Sequence, residues 1–470
     1  MRDSRVLRRA VGLVLGSVLL GLLAGCATYY QKSIRFQEAF VNGDLQAANK
    51  LLQENAGAAT GRDRLLYFFQ KGVVLQMLGD YEASNAAFEE AYLFTEDVQK
   101  NYAAEALSLI TNPMVTAYRG EDFEIVLLHY YKALNFLRLN RTEEALVECR
   151  RINIRLNELN DRYSGRENRY RRDAFAYNLM GIIFEAAGEI NNAFISYRNA
   201  WEVYRDDYRE HFGLGPPDQL KQDLLRTAYL NGFQEELAFF EKEFGRNYIH
   251  TPLEGGELVF FLNNGLGPVK GEWSINFALI RGDGGVVNFT NDELGISIPF
   301  DTGNRHGDLK DLKFLRVAFP RYLERKPVYR SAELAVGERR IPLEIGENVN
   351  AIAYTTLEDR MLREFATGLL RLAIKQASEE ALRKKHEGLG VLLSAVNAIS
   401  EKADTRNWQT LPYWISYARV PLSPGSHEIT LESHNRHGGT DRDTFTFDIG
   451  KGETEFFLFH TLASQPLSVR

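Results

Sequence analysis

Length, composition and charge exclude several classes of protein. The chain has 470 residues, 44% of them hydrophobic and 25% charged, which is an ordinary globular composition. It is too long for one hydrophobic core and predicts two or three domains. The formal net charge is −7 and no basic tract stands out, so we expect no nucleic-acid partner.

The first 24 residues have the order of a secretory signal. A basic segment precedes an apolar run, Ala10 to Ala24, that only Ser17 interrupts. A membrane span needs roughly 18 or more apolar residues, so this run is too short to predict one. It fits the apolar core of a signal peptide instead. A plain signal peptide followed by a chance cysteine is the alternative.

The run ends in "LLAGC", Leu22 to Cys26, which resembles the lipobox of bacterial lipoproteins. The resemblance implies removal of residues 1–25, attachment of diacylglycerol to the Cys26 thiol, and acylation of the new amine with a fatty acid such as palmitate. Several acyl chains anchor a protein stably, whereas one chain is marginal. Since Ala27 and not Asp follows the cysteine, the resemblance also implies the periplasmic face of the outer membrane.

Residues 26–245 carry a repeated helix–turn–helix pattern. In "FQKGVVLQMLGDYEASNAAFEEA", Gly72 takes a small position in the first helix and Phe88 a large one in the second. "NLMGIIFEAAGEINNAFISYRNA" repeats this pair with Gly181 and Tyr197. Helices approach closely where a small residue faces a large one, and the turns need Gly or Asn. We expect the turns at Gly43, Gly79, Asn140, Gly188 and Gly232.

This pattern resembles the tetratricopeptide repeat. The resemblance implies roughly five helix pairs between Lys32 and about Phe244, stacked as an α-solenoid because a hairpin alone cannot bury both faces. The turns are 36, 61, 48 and 44 residues apart, unlike a regular period of ~34. The longest gap has room for one further helix. A bundle without superhelical curvature is the alternative. Cys149 falls on a buried helix face, where we expect a small hydrophobe rather than a reactive thiol.

Residues 250–470 change to short β-rich runs separated by turn residues. We expect a β-sandwich-like domain with two inserted helices. The first, at about 356–385, is expected to open with a capping box of Thr356 and Asp359; the second covers 390–402. The predicted fold class is therefore α+β multidomain, with its joint near Pro252 and Gly256.

The combination of a helical-repeat half and a β-rich half resembles a family of bacterial lipoproteins of unknown activity. The segments "LNNGLGPVK", residues 262–270, and "ADTRNWQTLPYWI", residues 403–415, carry this likeness. Members join helical repeats to such a β region, and no catalytic residue is attached to the family. The likeness also suggests an association with lipoproteins that activate peptidoglycan synthases.

No nucleophile, metal or phosphate-binding motif occurs in the sequence. We therefore expect no enzyme, no metal and no cofactor, with an unrecognised hydrolase site as the alternative. His434 and His437 lie close together, with Asp441 and Asp443 following. A polar hairpin loop is the expected explanation for this group, and a metal site is the other.

Two loops have the composition of recognition surfaces, where aromatic, Arg and Asn side chains are enriched. The first places Asn264 and Lys270 around a Gly-Pro turn. The second places Asp404, Arg406 and Trp408 before a proline. The alternative is that Trp408 is buried where helix passes to strand, with Asp404 and Arg406 paired beside it.

The predicted function is a lipid-anchored periplasmic scaffold that presents a helical-repeat surface to a protein partner in the cell envelope. The alternative is a lipoprotein that binds the cell wall or regulates a peptidoglycan synthase. The expected partners are the membrane through the lipid, an envelope protein and, in the second case, peptidoglycan. The sequence does not identify the protein partner.

Overall fold

The structure is a computed structural model that describes residues 33–99, 116–162, 168–252, 254–281, 286–291, 296–301, 314–361 and 403–469. Three predicted features lie outside these residues: the signal peptide with Cys26, the helix at 390–402, and most of the further helix expected between the turns at Gly79 and Asn140. None of the described helices is long and apolar enough to cross a membrane. The described chain is α+β, with a helical first part and strands after it.

The helical part consists of five hairpins, and each hairpin contacts the next. Their helices are α1 Ile34–Val41, α2 Leu45–Glu54, α3 Arg64–Met77, α4 Tyr81–Gln99, α5 Asp122–Arg138, α6 Thr142–Arg162, α7 Ala174–Ala186, α8 Ile190–Val203, α9 Asp218–Leu230 and α10 Gln234–Phe244. A 3₁₀ turn, Ala56–Thr60, follows α2, and a π-helical turn, Tyr204–Tyr208, extends α8. We call α3, α5 and α7 the first helices of hairpins 2 to 4, and α4, α6 and α8 their second helices.

All five expected turn residues have a left-handed backbone. The φ angle is 56° at Asn140, and the four glycines have φ between 72° and 80° (Gly43, Gly79, Gly188 and Gly232). This conformation is unfavourable for most L-residues and is tolerated by Gly and Asn. The local turn chemistry therefore sets the hairpin boundaries.

Close helix contacts occur where small residues face aromatic rings. A Cβ atom added to Gly72 would lie 2.5 Å from the Phe88 ring, and one added to Gly181 would lie 2.4 Å from the Tyr197 ring. Both glycines belong to a first helix and both rings to the second helix of the same hairpin. The predicted small-to-large pairing is confirmed in hairpins 2 and 4.

Twelve described strands form three four-stranded sheets. The strands are β1 Gly256–Asn264, β2 Val269–Arg281, β3 Val286–Asn291, β4 Ile296–Asp301, β5 Phe314–Leu323, β6 Tyr329–Val336, β7 Arg339–Pro342, β8 Glu344–Glu347, β9 Trp414–Leu422, β10 Gly425–Asn435, β11 Thr440–Ile449 and β12 Thr454–Thr461. Sheet 1 has the order β12-β1-β9-β8, sheet 2 β11-β10-β6-β7 and sheet 3 β4-β3-β2-β5. Pairing is antiparallel except between β1 and β12, which are parallel.

Sheet 1 is buried on both faces. All nine residues of β1 are buried, and their side chains alternate between two apolar clusters. Leu258 and Phe260 join a cluster with residues of sheet 2, whereas Val259 and Phe261 join the cluster of the helices. The layers therefore run from helices through sheet 1 to sheet 2.

The hydrophobic core does not divide where helices give way to strands. One buried cluster includes Phe69 and Phe175 of the helical part together with Phe261, Trp408 and Tyr417 of the β part. From the sequence, residues 26–245 and 250–470 are expected to be two domains, each with its own core. The structure joins them through a shared core, because one face of sheet 1 is covered by the first helices.

The helix expected at 356–385 begins earlier than predicted. Residues 349–361 are helical, and we call this described part α11. Its N-cap is Asn348, whose side chain accepts a hydrogen bond from the Ala351 amide at 3.0 Å. Thr356 lies inside the helix and donates its hydroxyl to the Ile352 carbonyl at 2.9 Å. The proposed capping box of Thr356 and Asp359 is therefore wrong.

Candidate functional site

The five described candidate residues all lie in the contact region between the two parts of the chain. We call this region the helix–sheet interface; it is formed by α3, α5, α7 and α11, sheet 1, and the loops at 262–270 and 403–413. Burial of a polar group without a partner is costly, and the charged side chains described below have partners, whereas the buried side-chain amide of Gln409 in the second loop has no hydrogen-bond partner among the described residues.

Trp408 anchors the second loop in hairpin 2. Its ring stacks on Phe69 with a centroid distance of 4.0 Å and an interplanar angle of 14°. The rings of Phe88 and Tyr131 lie 5.9 and 5.7 Å away. The indole Nε1 donates to the Thr410 hydroxyl at 2.8 Å. Only 1% of Trp408 is exposed, so it contacts the protein's own helices.

Beside this ring, the buried Arg406 pairs with Asp404, whose side chain is 24% exposed. Arg406 donates from Nε and Nη2 to the two Asp404 carboxylate oxygens, at 2.9 and 2.7 Å. Its Nη1 also donates to the Thr116 carbonyl at 2.9 Å and to Asp63 at 3.3 Å. Burial alone would raise the pKa of Asp404, but the Arg406 guanidinium overrides it and holds that pKa below its usual value. The pair therefore stays ionised.

Lys270, from the first loop, pairs with a carboxylate of the helical part. Its ammonium group binds Glu121, and Arg360 of α11 donates to the same carboxylate at 2.8 and 3.0 Å. Burial would raise the pKa of Glu121, but these two cations lower it to about 2. The three residues join hairpin 3, sheet 3 and α11.

Glu124 lies one helical turn beyond Glu121 and has a different environment. Its carboxyl accepts hydrogen bonds from the Tyr118 hydroxyl at 2.6 Å and from the Trp408 amide at 2.7 Å. Burial, followed by the charge of Glu121, raises the pKa of Glu124 to about 7. Two neighbouring carboxyl groups thus titrate in widely separated pH ranges.

Two asparagines at the end of β1 complete the contacts of the first loop. Asn264, a predicted site residue, donates to the Tyr329 carbonyl at 2.9 Å and accepts from the Thr461 hydroxyl at 2.7 Å. Its neighbour Asn263 accepts from Tyr130 at 3.0 Å and donates to Tyr131 at 3.1 Å. Asn263, which is not among the residues predicted from the sequence, therefore links β1 to α5.

Arg419 is a second residue that the sequence analysis missed. It projects from β9 into hairpins 4 and 5, where its Nη1 lies 2.7 Å from Glu185 and 3.2 Å from Asp223. Its Nε donates to Glu257 of β1 at 3.1 Å. Only 4% of the Arg419 side chain is exposed. One guanidinium therefore binds three carboxylates, two from the helices and one from sheet 1.

A carboxyl pair lies at the other end of this interface. Asp173, the N-cap of α7, accepts from the Ala176 amide and the Tyr170 hydroxyl, both at 2.7 Å. Glu347, from β8, accepts from the Tyr208 hydroxyl at 3.2 Å. Burial, followed by mutual repulsion, raises the pKa of Glu347 well above its usual value, and burial raises that of Asp173. Both carboxyl groups therefore hold a proton more readily than exposed carboxyl groups do.

The candidate recognition loops thus bind within the chain rather than on a free surface. Asn264, Lys270, Arg406 and Trp408 are each 1% exposed. The structure of the second loop agrees with the alternative given in the sequence analysis, in which Trp408 is buried and Asp404 and Arg406 pair beside it. Cys149 is also fully buried, and burial raises the pKa of its thiol. Among the described residues, one group has side chains spaced to hold a metal ion: Glu333, Glu432 and His434.

Exposed apolar side chains of hairpins 2 to 4 have an uneven distribution. In the described residues of these hairpins, every large hydrophobic side chain that is well exposed belongs to a second helix. Leu93 on α4 is 49% exposed, Val147 and Ile154 on α6 are 39% and 58%, and Ile195 on α8 is 39%. We call these four residues the outer apolar positions.

Comparison with known proteins gives little further information. No protein-family model and no curated protein matches the chain. It is similar to MamA at 13% identity over 44% of this chain and 91% of MamA, with a TM-score of 0.29. It is also similar to residues 41 to the end of MamA from Desulfovibrio magneticus RS-1 (15%, 45% and 87%, TM-score 0.28) and to BtubC from P. vanneervenii (16%, 53% and 90%, TM-score 0.32). TM-scores this low carry no argument about function.

Proposed function

We propose that the chain is a lipid-anchored, non-enzymatic interaction protein of the bacterial cell envelope. The observation that carries this proposal is the contrast between the two sides of hairpins 2 to 4. Their first helices are covered by the chain's own β part, whereas their second helices expose the outer apolar positions. A partner of the repeats therefore binds the second-helix side.

The side of the hairpins formed by their first helices is not free for a partner, because the chain's own β part covers it. Trp408 and Phe261 occupy the side of the first helices where a peptide partner would lie. We propose that the five hairpins form a short solenoid, supported by their sequential contacts. We also propose that sheets 1 and 2 form a β-sandwich, supported by their common apolar cluster.

The absence of enzymatic activity is part of the proposal. Buried charged groups are common in active sites, but those of the helix–sheet interface already have partners. Glu121 is bound by two cations, and Arg419 by three carboxylates. Such closed ion pairs support a structural role, since a catalytic group needs an atom available to substrate.

The lipid anchor would hold the repeats near the membrane. Ile34, where α1 begins, follows Cys26 by eight positions, with seven residues between them. An extended chain spans about 3.3 Å per residue, so α1 would lie within roughly 26 Å of the lipidated cysteine. Cys26→Ser should abolish labelling by a radioactive or clickable fatty acid and leave the precursor uncleaved. Labelling that persists in this variant would contradict the anchor.

Site-specific crosslinking in cells tests the interaction surface. A photo-crosslinking amino acid in place of Ile154 should give a discrete adduct with an envelope protein. The matched control replaces Glu428, an exposed residue of β10 in sheet 2, which packs against the face of sheet 1 that does not contact the helices. An adduct from Glu428 and none from Ile154 would move the partner to the β part. Binding of the unlipidated protein to purified sacculi would favour the cell-wall alternative instead.

A further inference from the structure

The outer face of sheet 2 brings together three side chains that ligate metals. Glu333 on β6 and Glu432 on β10 are direct partners in the antiparallel register. His434 lies two residues further along β10, so it projects from the same face as Glu432. One ligand atom from each residue lies within 4.8 Å of the other two. Like charges directly opposite each other are unfavourable in a sheet unless a cation lies near both.

The imidazole of His434 is oriented by a residue other than the two glutamates. Its Nδ1 lies 3.0 Å from the Thr440 hydroxyl on β11, a hydrogen-bond distance. Its Nε2 lies 3.7 Å from the nearest Glu333 oxygen, which is too long for a hydrogen bond. Histidine ligands of metals use this arrangement, in which one ring nitrogen bonds an oxygen and the other faces the ion.

Glu432 is oriented by neighbouring arginines. Arg442 Nε donates to one carboxylate oxygen at 2.9 Å, while Arg340 Nε is 3.8 Å from the other. The two guanidiniums also offset the charge of the two glutamates. A cation would therefore bind with modest affinity.

We propose that Glu333, Glu432 and His434 form a surface site for a divalent transition metal of the zinc class. One imidazole and two carboxylates are ligands that zinc accepts, and water would complete the coordination. The ligand set differs from the group noted in the sequence. His437 lies in the β10–β11 turn, and Asp441 accepts a hydrogen bond from Tyr329 at 2.5 Å.

Isothermal titration of the full chain from Ala27 onward with Zn²⁺ tests this site. Wild type should bind one ion, and His434→Ala and Glu333→Gln should each weaken binding at least tenfold. His427→Ala is the matched control, because His427 is on the same strand and bonds the Ser423 carbonyl instead. It should bind Zn²⁺ as wild type does.

A second measurement separates metal binding from an ion pair. If His434 serves only as an ion-pair partner of Glu333, Zn²⁺ will not change the melting temperature of the protein. The proposal requires Zn²⁺ to raise the melting temperature of wild type and to leave that of His434→Ala unchanged. No heat of binding in wild type, or equal binding by wild type and His434→Ala, would overturn it.

Discussion

The two faces of sheet 1 are both buried, but they differ in chemistry. Toward sheet 2, residues such as Leu258, Phe260 and Val420 enter a cluster of apolar side chains. Toward the helices, Asn263 and Arg419 bring hydrogen bonds and ion pairs into a shared core. Apolar contacts tolerate substitutions of similar volume. A buried charge requires its partner, so the helical face makes the two parts of the chain depend on each other.

Among the changes to the helical face of sheet 1, removing Arg419 should cause the largest loss of stability. Arg419→Met keeps much of the side-chain volume but leaves Glu185, Asp223 and Glu257 without their common cation. We expect a loss of at least about 3–5 kcal/mol in the free energy of unfolding, measured with urea. Arg141→Met is the control, because the Arg141–Glu82 pair is exposed and exposed pairs contribute about 1 kcal/mol or less. Equal losses would contradict the role of buried charge.

Truncating Trp408, which anchors the second loop, should cause the next largest loss of stability. Trp408→Ala removes a fully packed ring from between Phe69 and Tyr131. Large aromatic-to-alanine substitutions in cores cost about 3–5 kcal/mol, and we expect that range in urea unfolding. Phe239→Ala is a suitable control, since Phe239 is 53% exposed and its removal should change stability by less than about 1 kcal/mol.

Acid should weaken the same interface through Glu121. Its pKa is about 2 in the folded protein and 4.5 ordinarily, so its ion pairs contribute fully above pH 4.5 and are lost as the pH falls toward 2. The difference corresponds to about 3 kcal/mol. In urea unfolding between pH 4.5 and 2.5, Glu121→Gln should show a shallower loss of stability than wild type.

Glu124 provides the internal control for this titration. The pKa of Glu124 is raised to about 7, whereas that of Glu121 is lowered. The contribution of Glu124 to stability therefore falls as the pH rises from 4.5 to 7. Glu124→Gln should therefore change the slope above pH 4.5 and retain the wild-type slope below it. Identical pH profiles for wild type and Glu121→Gln below pH 4.5 would rule out the ion pairs as the acid-sensitive element.

A smaller effect is expected within a single hairpin. Gly72→Leu should overpack the contact with Phe88 and cost about 1–3 kcal/mol, or more if the ring cannot shift. Gly57→Leu is the control, because it is the same type of substitution at a position with free space. No atom outside its immediate neighbours lies within 4 Å of a Cβ added there. Thermal unfolding compares the two variants. A normal melting temperature for Gly72→Leu would remove the evidence for close packing in hairpin 2.

Local features of the fold could be predicted from the sequence because they depend on a few neighbouring residues. Left-handed turns at Gly79 and Asn140 follow from which residues tolerate that backbone. The contact of Gly72 with Phe88 follows from the spacing of a small and a large residue. The start of α11 was misplaced because Asn348, a good N-cap itself, precedes Thr356 by eight residues.

The burial of the candidate loops could not be read from local patterns. Trp408 contacts Phe69, and Lys270 contacts Glu121, across long stretches of chain. One signal of this burial is present in the sequence. The run "LVFFL" in β1 does not alternate with polar residues, and such runs indicate strands buried on both faces. A strand of that kind requires a second covering layer, which here is the helical part.

The helical and β parts share one core, and we therefore expect them to fold as one unit. The decisive experiment produces residues 27–245 and 250–470 separately and compares their urea unfolding with that of residues 27–470. We predict that neither half alone shows the cooperative transition of the whole chain, and that mixing the halves restores it. Two halves that each unfold cooperatively, at the midpoint seen for the whole chain, would contradict the claim.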